Sequence, residues 1–348
     1  MTNLTHPLTK ELINWFSKAK RDLPWRQTSD PYKIWLSEII LQQTRVEQGL
    51  PYYMSFVENY PDVHALANAS EDQVMRTWQG LGYYSRARNL HATSKYISQE
   101  LNGVFPKTHA EIEKLKGVGP YTSAAIASIA FNETVPVIDG NVFRFISRLY
   151  GVYDDIMKNA SRKTFLSILE ELISNEFPGD FNQAMMEFGA TVCKPKPDCS
   201  SCLFTQSCFA FENNKQSELP VKIKKLKIKT RYLQYFVLEN ATHVLMRRRK
   251  ESIWQGLYEF YLSEEANEDF VVPEFLKNIA DKLVERYSTK HLLTHQKLMI
   301  TFYSITINDE NQLKAMAKEH DLELIDRKEV LNLPKPKPIV NFLEETEF

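Results

Sequence analysis

Apolar residues recur at a helical spacing through the first 210 positions, and the pattern then changes to shorter, alternating runs. Leu12, Ile13, Trp15 and Phe16 make an apolar face behind Thr9, which reads as an N-cap. Residues 34–48 read as one helix, with Ile34, Leu41 and Val46 among its apolar positions. The same period predicts helices over 71–78, 85–101, 111–115, 122–131, 141–150, 162–173 and 181–192. Glycines and prolines punctuate them at Pro51, Pro61, Gly80, Gly82, Gly103, Gly117, Pro120 and Gly179. Beyond residue 230 lie strand patterns at 232–238, 243–247, 257–262 and 298–307, with one helix at 273–287 among them. The expected fold is a mostly α region followed by an α+β domain.

Composition narrows the function classes. A chain of 348 residues with 43% hydrophobic and 25% charged positions has material for two ordinary globular cores. No apolar run approaches the roughly 20 residues needed to span a bilayer, and residues 1–16 carry no basic-then-apolar signal pattern. A cytoplasmic protein without a membrane partner is expected. The net charge of −1 means that any nucleic-acid affinity must come from local patches. All four cysteines lie between Cys193 and Cys208, which leaves none for a long-range disulfide and points to a metal or cluster site.

Four stretches carry candidate chemistry. In Leu115-Lys116-Gly117-Val118-Gly119-Pro120-Tyr121-Thr122, Gly117 and Gly119 allow a tight turn that opens a helix. Its free N–H groups and positive dipole end would make a phosphate seat that needs no basic side chain. A plain corner between helices fits the same residues. The cysteines are separated by five, two and five residues, a spacing that suits tetrahedral zinc or a 4Fe–4S cluster and does not separate them. Glu38 lies on an apolar helical turn, where burial would raise its pKa towards that of a general acid, unless it faces solvent. Asp139 follows the apolar run 135–138 and precedes a helix, so it could cap that helix or steady a developing cation. Glycoside cleavage uses a comparable pair of carboxyl groups. The alternating Lys222, Lys224, Lys225, Lys227, Lys229 and Arg231, and the run Arg247-Arg248-Arg249-Lys250, could lie along DNA or be solvated. His64, His91 and His109 show no metal-ligand pattern.

Together the stretches resemble the adenine DNA glycosylases of the MutY family, within the helix-hairpin-helix glycosylase superfamily. The matching residues are Leu23-Pro24-Trp25-Arg26, Ser37-Glu38 through Gln42-Gln43-Thr44-Arg45-Val46, Gly80-Leu81-Gly82-Tyr83-Tyr84-Ser85-Arg86-Ala87-Arg88, the Gly117–Thr122 turn, Asp139-Gly140-Asn141-Val142 and the cysteine loop. The resemblance implies that Glu38 protonates adenine N7 and that Asp139 stabilises the sugar cation, with Tyr121 and Asn141 assisting. It implies that Arg26, beside Trp25, lines the adenine pocket and that Gln43 and Tyr83 wedge into the base stack. Thr44 and Leu81 would lie near the opposite base, 8-oxoguanine. Cys193, Cys199, Cys202 and Cys208 would ligate one 4Fe–4S cluster per chain, although the first interval is one residue shorter than in related proteins. Endonuclease III, on a similar scaffold, carries a lysine nucleophile where this chain has Tyr121, so a monofunctional glycosylase is expected.

The later half resembles the Nudix-like domain of the same family through Trp254-Gln255-Gly256-Leu257-Tyr258-Glu259-Phe260, without the acidic metal-binding cassette of Nudix hydrolases. Thr294 and His295, in Leu292-Leu293-Thr294-His295-Gln296, would correspond to the loop that reads 8-oxoguanine, with Leu293 where the family often has an aromatic. The resulting organisation is a glycosylase domain over 1–212 (hairpin about 111–131, cluster loop 193–208), a basic linker over 213–230 and a lesion-recognition domain over 231–348. The expected partner is duplex DNA with an adenine mispair, bound by a monomer that associates with the nucleoid. The alternatives are a glycosylase-lyase acting on oxidised pyrimidines, which Tyr121 argues against, and a non-catalytic DNA-binding scaffold, which Glu38 with Asp139 argues against.

Overall fold

The computed structural model describes residues 6–223, 228–251, 253–346 and 348. The chain divides into two compact units, Met1–Asn68 with Asn89–Lys224, and Ala69–Arg88 with Lys225–Phe348. Among the described residues up to 212 there are twelve α-helices: α1 Pro7–Ala19, α2 Pro31–Leu41, α3 Val46–Asn59, α4 Val63–Asn68, α5 Glu71–Thr77, α6 Ser85–Gln99, α7 His109–Ile112, α8 Pro120–Phe131, α9 Gly140–Tyr150, α10 Ser161–Leu172, α11 Pro178–Thr191 and α12 Phe209–Glu212.

Two helix boundaries differ from the sequence pattern for physical reasons. The cap of α1 is His6, whose ring accepts the Leu8 N–H at 3.3 Å. Thr9 is instead buried inside the first turn, where its hydroxyl donates to Leu172 O at 2.6 Å. Residues 34–48 are not one helix. α2 stops at Leu41, Gln43 takes a left-handed φ of 55°, and α3 begins at Val46. The apolar spacing continues across that break, so the period alone does not register it. Pro51, which reads as a breaker, lies within α3. That helix keeps Tyr53 and Phe56 buried, and packing outweighs the lost N–H.

Helix α2 is apolar on nearly every side. Ile34, Trp35, Leu36, Ile39 and Ile40 are buried, so it runs through the interior of its unit. Asp30 caps it by accepting from Tyr32 N at 2.9 Å, and Pro31 fills the first helical position, where no N–H is required. Helices α1, α9, α10 and α11 share a second core of Leu12, Phe16, Phe145, Ile146, Phe165, Phe181 and Phe188.

The second unit is built on a seven-stranded mixed sheet: β1 Lys229–Glu239, β2 His243–Arg248, β3 Tyr258–Glu259, β4 Tyr261–Glu265, β5 Val284–Leu292, β6 Gln296–Thr306 and β7 Glu323–Asp326. The central β1 runs parallel to β6 along its whole length and antiparallel to β4 and β2 on its other side. Strand β5 pairs antiparallel with β6, and β2 also pairs with β3 and β7. The strand pattern at 257–262 is split at Phe260 into β3 and β4. The helix expected over 273–287 is a 3-10 helix over Glu274–Lys282 followed by β5. Strand β5 is a polar strand with most of its residues exposed or half-buried, so it lacks the apolar alternation that marks a covered strand. Helices α13 Glu310–Glu319, α14 Arg327–Val330 and α15 Lys337–Glu345 complete the unit.

Residues 69–88 group with this second unit through bonds that no periodicity shows. Arg248 pairs with Asp72 at 2.6 Å, Gln79 Oε1 accepts from Lys335 N at 2.9 Å, and Arg88 donates to Gln255 O. The basic runs are largely spoken for. Arg247 and Arg249 both pair with the buried Glu259, Lys250 with Asp321 and Arg231 with Glu264. Within the 213–230 segment Leu219 is buried, and Val221 O accepts from Ile156 N at 3.1 Å. Part of this stretch is therefore seated on the first unit, and Lys224, Lys225 and Lys227 lie outside the described residues. No helix among the described residues is long and apolar enough to cross a membrane.

Because Asp30 supplies the cap of the interior helix α2, Asp30→Ala should destabilise the protein by about 1 kcal/mol. Urea unfolding would show this as a lower midpoint with an unchanged slope.

Candidate active site

Three helices of the first unit converge on one group of polar side chains. Glu38 lies one turn before the end of α2, Tyr121 is the second residue of α8, and Asp139 is the N-cap of α9. The Glu38 carboxyl is raised to about 7, chiefly by burial, with the charge of Asp139 adding to the rise and a hydrogen bond from Tyr121 opposing it. Burial and the two carboxyl groups hold the Tyr121 phenol well above its ordinary range, so it stays protonated. Its single O–H is shared with Met186 Sδ, 3.2 Å away. The alternative of a solvent-facing Glu38 is thereby set aside.

Asp139 sits in a different setting. One carboxylate oxygen accepts from Asn141 N at 2.9 Å and Val142 N at 2.8 Å, and the other accepts from Asn141 Nδ2 at 2.7 Å. Burial raises its pKa, while these bonds and the Arg144 charge act in the opposite direction. All three bonds reach Asp139 from donors, an arrangement that fits the ionised form. The capping role and the cation-stabilising role are thus compatible, because capping leaves a carboxylate held at the helix start. Arg144 extends the network. It donates to Asn141 Oδ1 at 2.8 Å, to Gly189 O at 2.7 Å and to Cys193 O at 2.7 Å. A Cβ on Gly189 would stand 2.7 Å from that of Asn141, so only glycine permits α11 to approach α9 this closely.

The turn before α8 has the expected form. Gly117 has φ 80°, and a side chain there would also meet Asn89 at 2.6 Å. Gly119 is the N-cap with no side-chain bond of its own, and Pro120 opens the helix. The first turn of α8 thus starts without a side-chain cap and carries Tyr121 to the acid. Gln42 Nε2 donates to Thr122 Oγ1 at 3.1 Å and ties the end of α2 to that turn.

The remaining expected residues are placed as follows. Trp25 is buried, edge-on to Tyr53 with ring centroids 5.1 Å apart. Arg26 does not project freely, since it donates to Glu187 Oε2 at 2.7 Å and to Arg21 O at 3.1 Å. Glu187 also takes a two-pronged bond from Arg21 at 2.8 and 2.7 Å. The two arginines hold the Glu187 carboxyl down at about 2 against its burial. Gln43 is exposed on left-handed backbone, and Thr44 follows it half-buried.

In the second unit Tyr83 is likewise exposed with φ 50°, and Leu81 is buried. Thr294 and His295 form the exposed tip of the hairpin joining β5 to β6, closed by Leu293 N to Gln296 O at 2.8 Å. The Thr294 hydroxyl is hydrogen-bonded to that of Tyr83. Tyr83, Trp254, His291, Leu293, Thr294 and His295 line one cavity of about 420 Å³.

The four cysteines surround a common apolar void lined also by Phe145, Arg148 and Phe204. Among the described residues no three His, Cys, Asp or Glu side chains converge on a single metal ion. Arg148 is 3% exposed, and its guanidinium donates to Cys193 Sγ at 3.5 Å and to the carbonyls of Leu219, Lys194 and Pro195. Burial pushes the Cys193 thiol up, and the Arg148 guanidinium beside it works against that rise. The donor set therefore fits a group ligated by thiolates. Sequence reasoning missed Arg144, Arg148, Asn182, Met186 and Glu187. The two arginines follow Asn141 at intervals of three and seven, one helix face, which was the available signal.

Residues 36–171 match the model of the HhH-GPD superfamily of base excision DNA repair proteins, and residues 234–345 match a NUDIX domain. Among curated proteins the chain is 33% identical over 302 residues to an adenine DNA glycosylase of Buchnera aphidicola subsp. Baizongia pistaciae, covering 85% of each. It is 30% identical to one of Buchnera aphidicola subsp. Schizaphis graminum, covering 96% of each. With the human adenine DNA glycosylase it shares 39% identity over 60% of this chain and 40% of that one. Among solved structures a thermostable thymine-DNA glycosylase is 27% identical with a TM-score of 0.54, covering 59% of this chain and 95% of that one. An endonuclease III–DNA complex, 21% identical with a TM-score of 0.52 over 60% of this chain and 95% of that one, shares the fold. With 30–33% identity held over 85% and 96% of the two Buchnera relatives, the chain belongs to the adenine DNA glycosylase family.

Proposed function

We propose that this chain is a monofunctional glycosylase that hydrolyses the N-glycosidic bond of an adenine mispaired in duplex DNA. The observation that carries the reading is the half-buried group of Glu38, Tyr121 and Asp139, with one carboxyl group raised to about 7 and the other, although burial raises it too, held by three hydrogen-bond donors. Environments that separate two carboxyl groups in this way assign the acid and the stabiliser. Glu38 in its protonated form delivers a proton to N7 of the extruded adenine, which leaves as a neutral base. Asp139, ionised, stands against the positive charge that develops on the sugar, and Asn141 and Arg144 keep its oxygens oriented. Tyr121 remains a phenol and holds the Glu38 carboxyl in place. Ionised after the transfer, Glu38 can take a proton from the water that adds to the sugar. No amine stands at position 121 to form a Schiff base, which supports hydrolysis without strand cleavage.

Gln43 and Tyr83, exposed on strained left-handed backbone, are suited to enter the stack, and the exposed Thr294–His295 tip is suited to read 8-oxoguanine or guanine opposite. The turn at Gly117–Pro120 offers backbone N–H groups to a phosphate. The two family matches lie on either side of the 213–230 segment, which supports 1–212 as the glycosylase part and 231–348 as the lesion-recognition part. We read the protein as a monomer working on chromosomal DNA in the cytoplasm. Cys193, Cys199, Cys202 and Cys208 would hold one 4Fe–4S cluster, since they ring a space instead of meeting at a point. Such a cluster would brace the loop that carries Lys194 and Lys196.

The test is release of adenine opposite 8-oxoguanine under single-turnover conditions. The native chain should excise it at a rate that falls as pH rises through about 7, because the proton on Glu38 is then lost. Glu38→Gln should lower the rate by at least about a hundredfold. Failure of the native chain to release adenine, or native speed in the variant, would overturn the proposal.

The same substitution should move stability the other way. In the unfolded chain this carboxyl ionises near 4.5 and in the folded one near 7, so the folded state binds more protons between those values. Its stability therefore falls as pH rises through that window. Glu38→Gln removes the penalty, gaining about 3 kcal/mol above pH 7 and almost nothing below 4.5, as measured by urea unfolding.

The purified protein should also absorb visible light and carry about four irons per chain, and Cys199→Ser should reduce both. A colourless protein containing zinc would refute the cluster assignment.

A further inference from the structure

Asp139 is reached through an extended run, residues 135–138, that belongs to no sheet. Such a run leaves alternate N–H and C=O groups without strand partners, and in the interior each needs one. Here the partner is the side chain of Asn182 on α11, which is 1% exposed. Its Oδ1 accepts from Val137 N at 3.0 Å, and its Nδ2 donates to Val135 O at 2.8 Å and to Ser128 Oγ at 2.9 Å. The amide thus pairs with residues 135 and 137 as the backbone of a neighbouring strand would. Only this orientation of the amide satisfies both backbone groups.

We infer that Asn182 is a positioning residue for excision, setting the register of residues 135–137 and thereby the place of Asp139 relative to Glu38 and Tyr121. Three features of the structure support it. The bonds lie two and four residues before Asp139, with no flexible glycine between them. Asn182 shares α11 with Met186, the acceptor of the Tyr121 hydroxyl, so one helix references both partners of the acid. Gly189, a further turn along, lets the same helix touch Asn141. The inference rests on the glycosylase reading above, which the native chain tests on its own.

Asn182→Ala should reduce the single-turnover rate on an adenine–8-oxoguanine duplex by about ten- to a hundredfold, as expected for a displaced catalytic group. The dissociation constant for the same duplex should stay within about twofold, because the amide touches no surface that meets DNA. Ser128→Ala removes one of the three bonds and leaves those to residues 135 and 137, so its rate should remain near native. Asn182→Asp supplies a variant of native shape. Protonated, its carboxyl group accepts from Val137 N and donates to Val135 O. Ionised, it opposes that carbonyl. The ratio of its rate to the native rate should therefore approach one at acidic pH and fall as pH rises, with circular dichroism unchanged. Native-like excision by a folded Asn182→Ala would overturn the inference. So would equal losses of rate and binding, losses in Ser128→Ala matching those of Asn182→Ala, or a pH-independent ratio for Asn182→Asp. Failure of the native chain to excise adenine would fall on the functional reading instead.

Discussion

The site depends on keeping one carboxyl group out of water without giving it a cationic partner. A carboxylate beside an arginine drops in pKa, as Glu187 does between Arg21 and Arg26. Glu38 is denied such a partner. It projects from the largely apolar α2 and meets a phenol and another acid, and the second of these is a poor host for its charge. Two glutamates of one unit are thus driven in opposite directions, Glu38 up to about 7 and Glu187 down to about 2, by the groups that face them. Glu187 serves as a structural anchor because it is always ionised, and Glu38 can serve as an acid because it is not.

Meeting that constraint requires three elements from distant parts of the chain to be held together. Helix α11 does much of this. Its residues bond to the run before Asp139, to the hydroxyl of Tyr121 and to both arginines of the N-terminal segment, while Gly189 admits Asn141. The cysteine loop starts just after this helix, and Arg144 and Arg148 join it to α9. A cluster in that loop would therefore be continuous, through backbone carbonyls and guanidinium groups, with the helix that carries Asp139.

How much of this could be read from the sequence depended on whether the signal was local. The Gly117–Thr122 turn, Asp139-Gly140-Asn141 and the cysteine spacing are short motifs whose candidate chemistry follows from residue type, whereas residues 23–26 had meaning only through the family resemblance. Glu38 stood between alternatives, since an acid on an apolar helix is buried or exposed according to partners far away in sequence. Tyr121 and Asp139 supply that information only after folding. The break at Gln42–Arg45 escaped because apolar spacing continues across it, and β5 escaped because an edge strand need not alternate. The pairing of Arg247, Arg248, Arg249 and Lys250 with acids at 259, 72 and 321 shows the same limit, because a basic run reads as a surface patch until its partners arrive.

Gln43 and Tyr83 share an uncommon backbone geometry, with φ of 55° and 50° at residues that are not glycine. Side chains branched at Cβ are the most disfavoured in that region, and asparagine and glycine the least. The choice of residue at these two positions is consequently limited from both directions. In the proposed role bulk would be wanted outside, towards the stack, and the backbone asks for slenderness at the first carbon. Unbranched or flat side chains meet both demands, so replacement by valine, isoleucine or threonine would displace the peptide itself before any contact with nucleic acid was made.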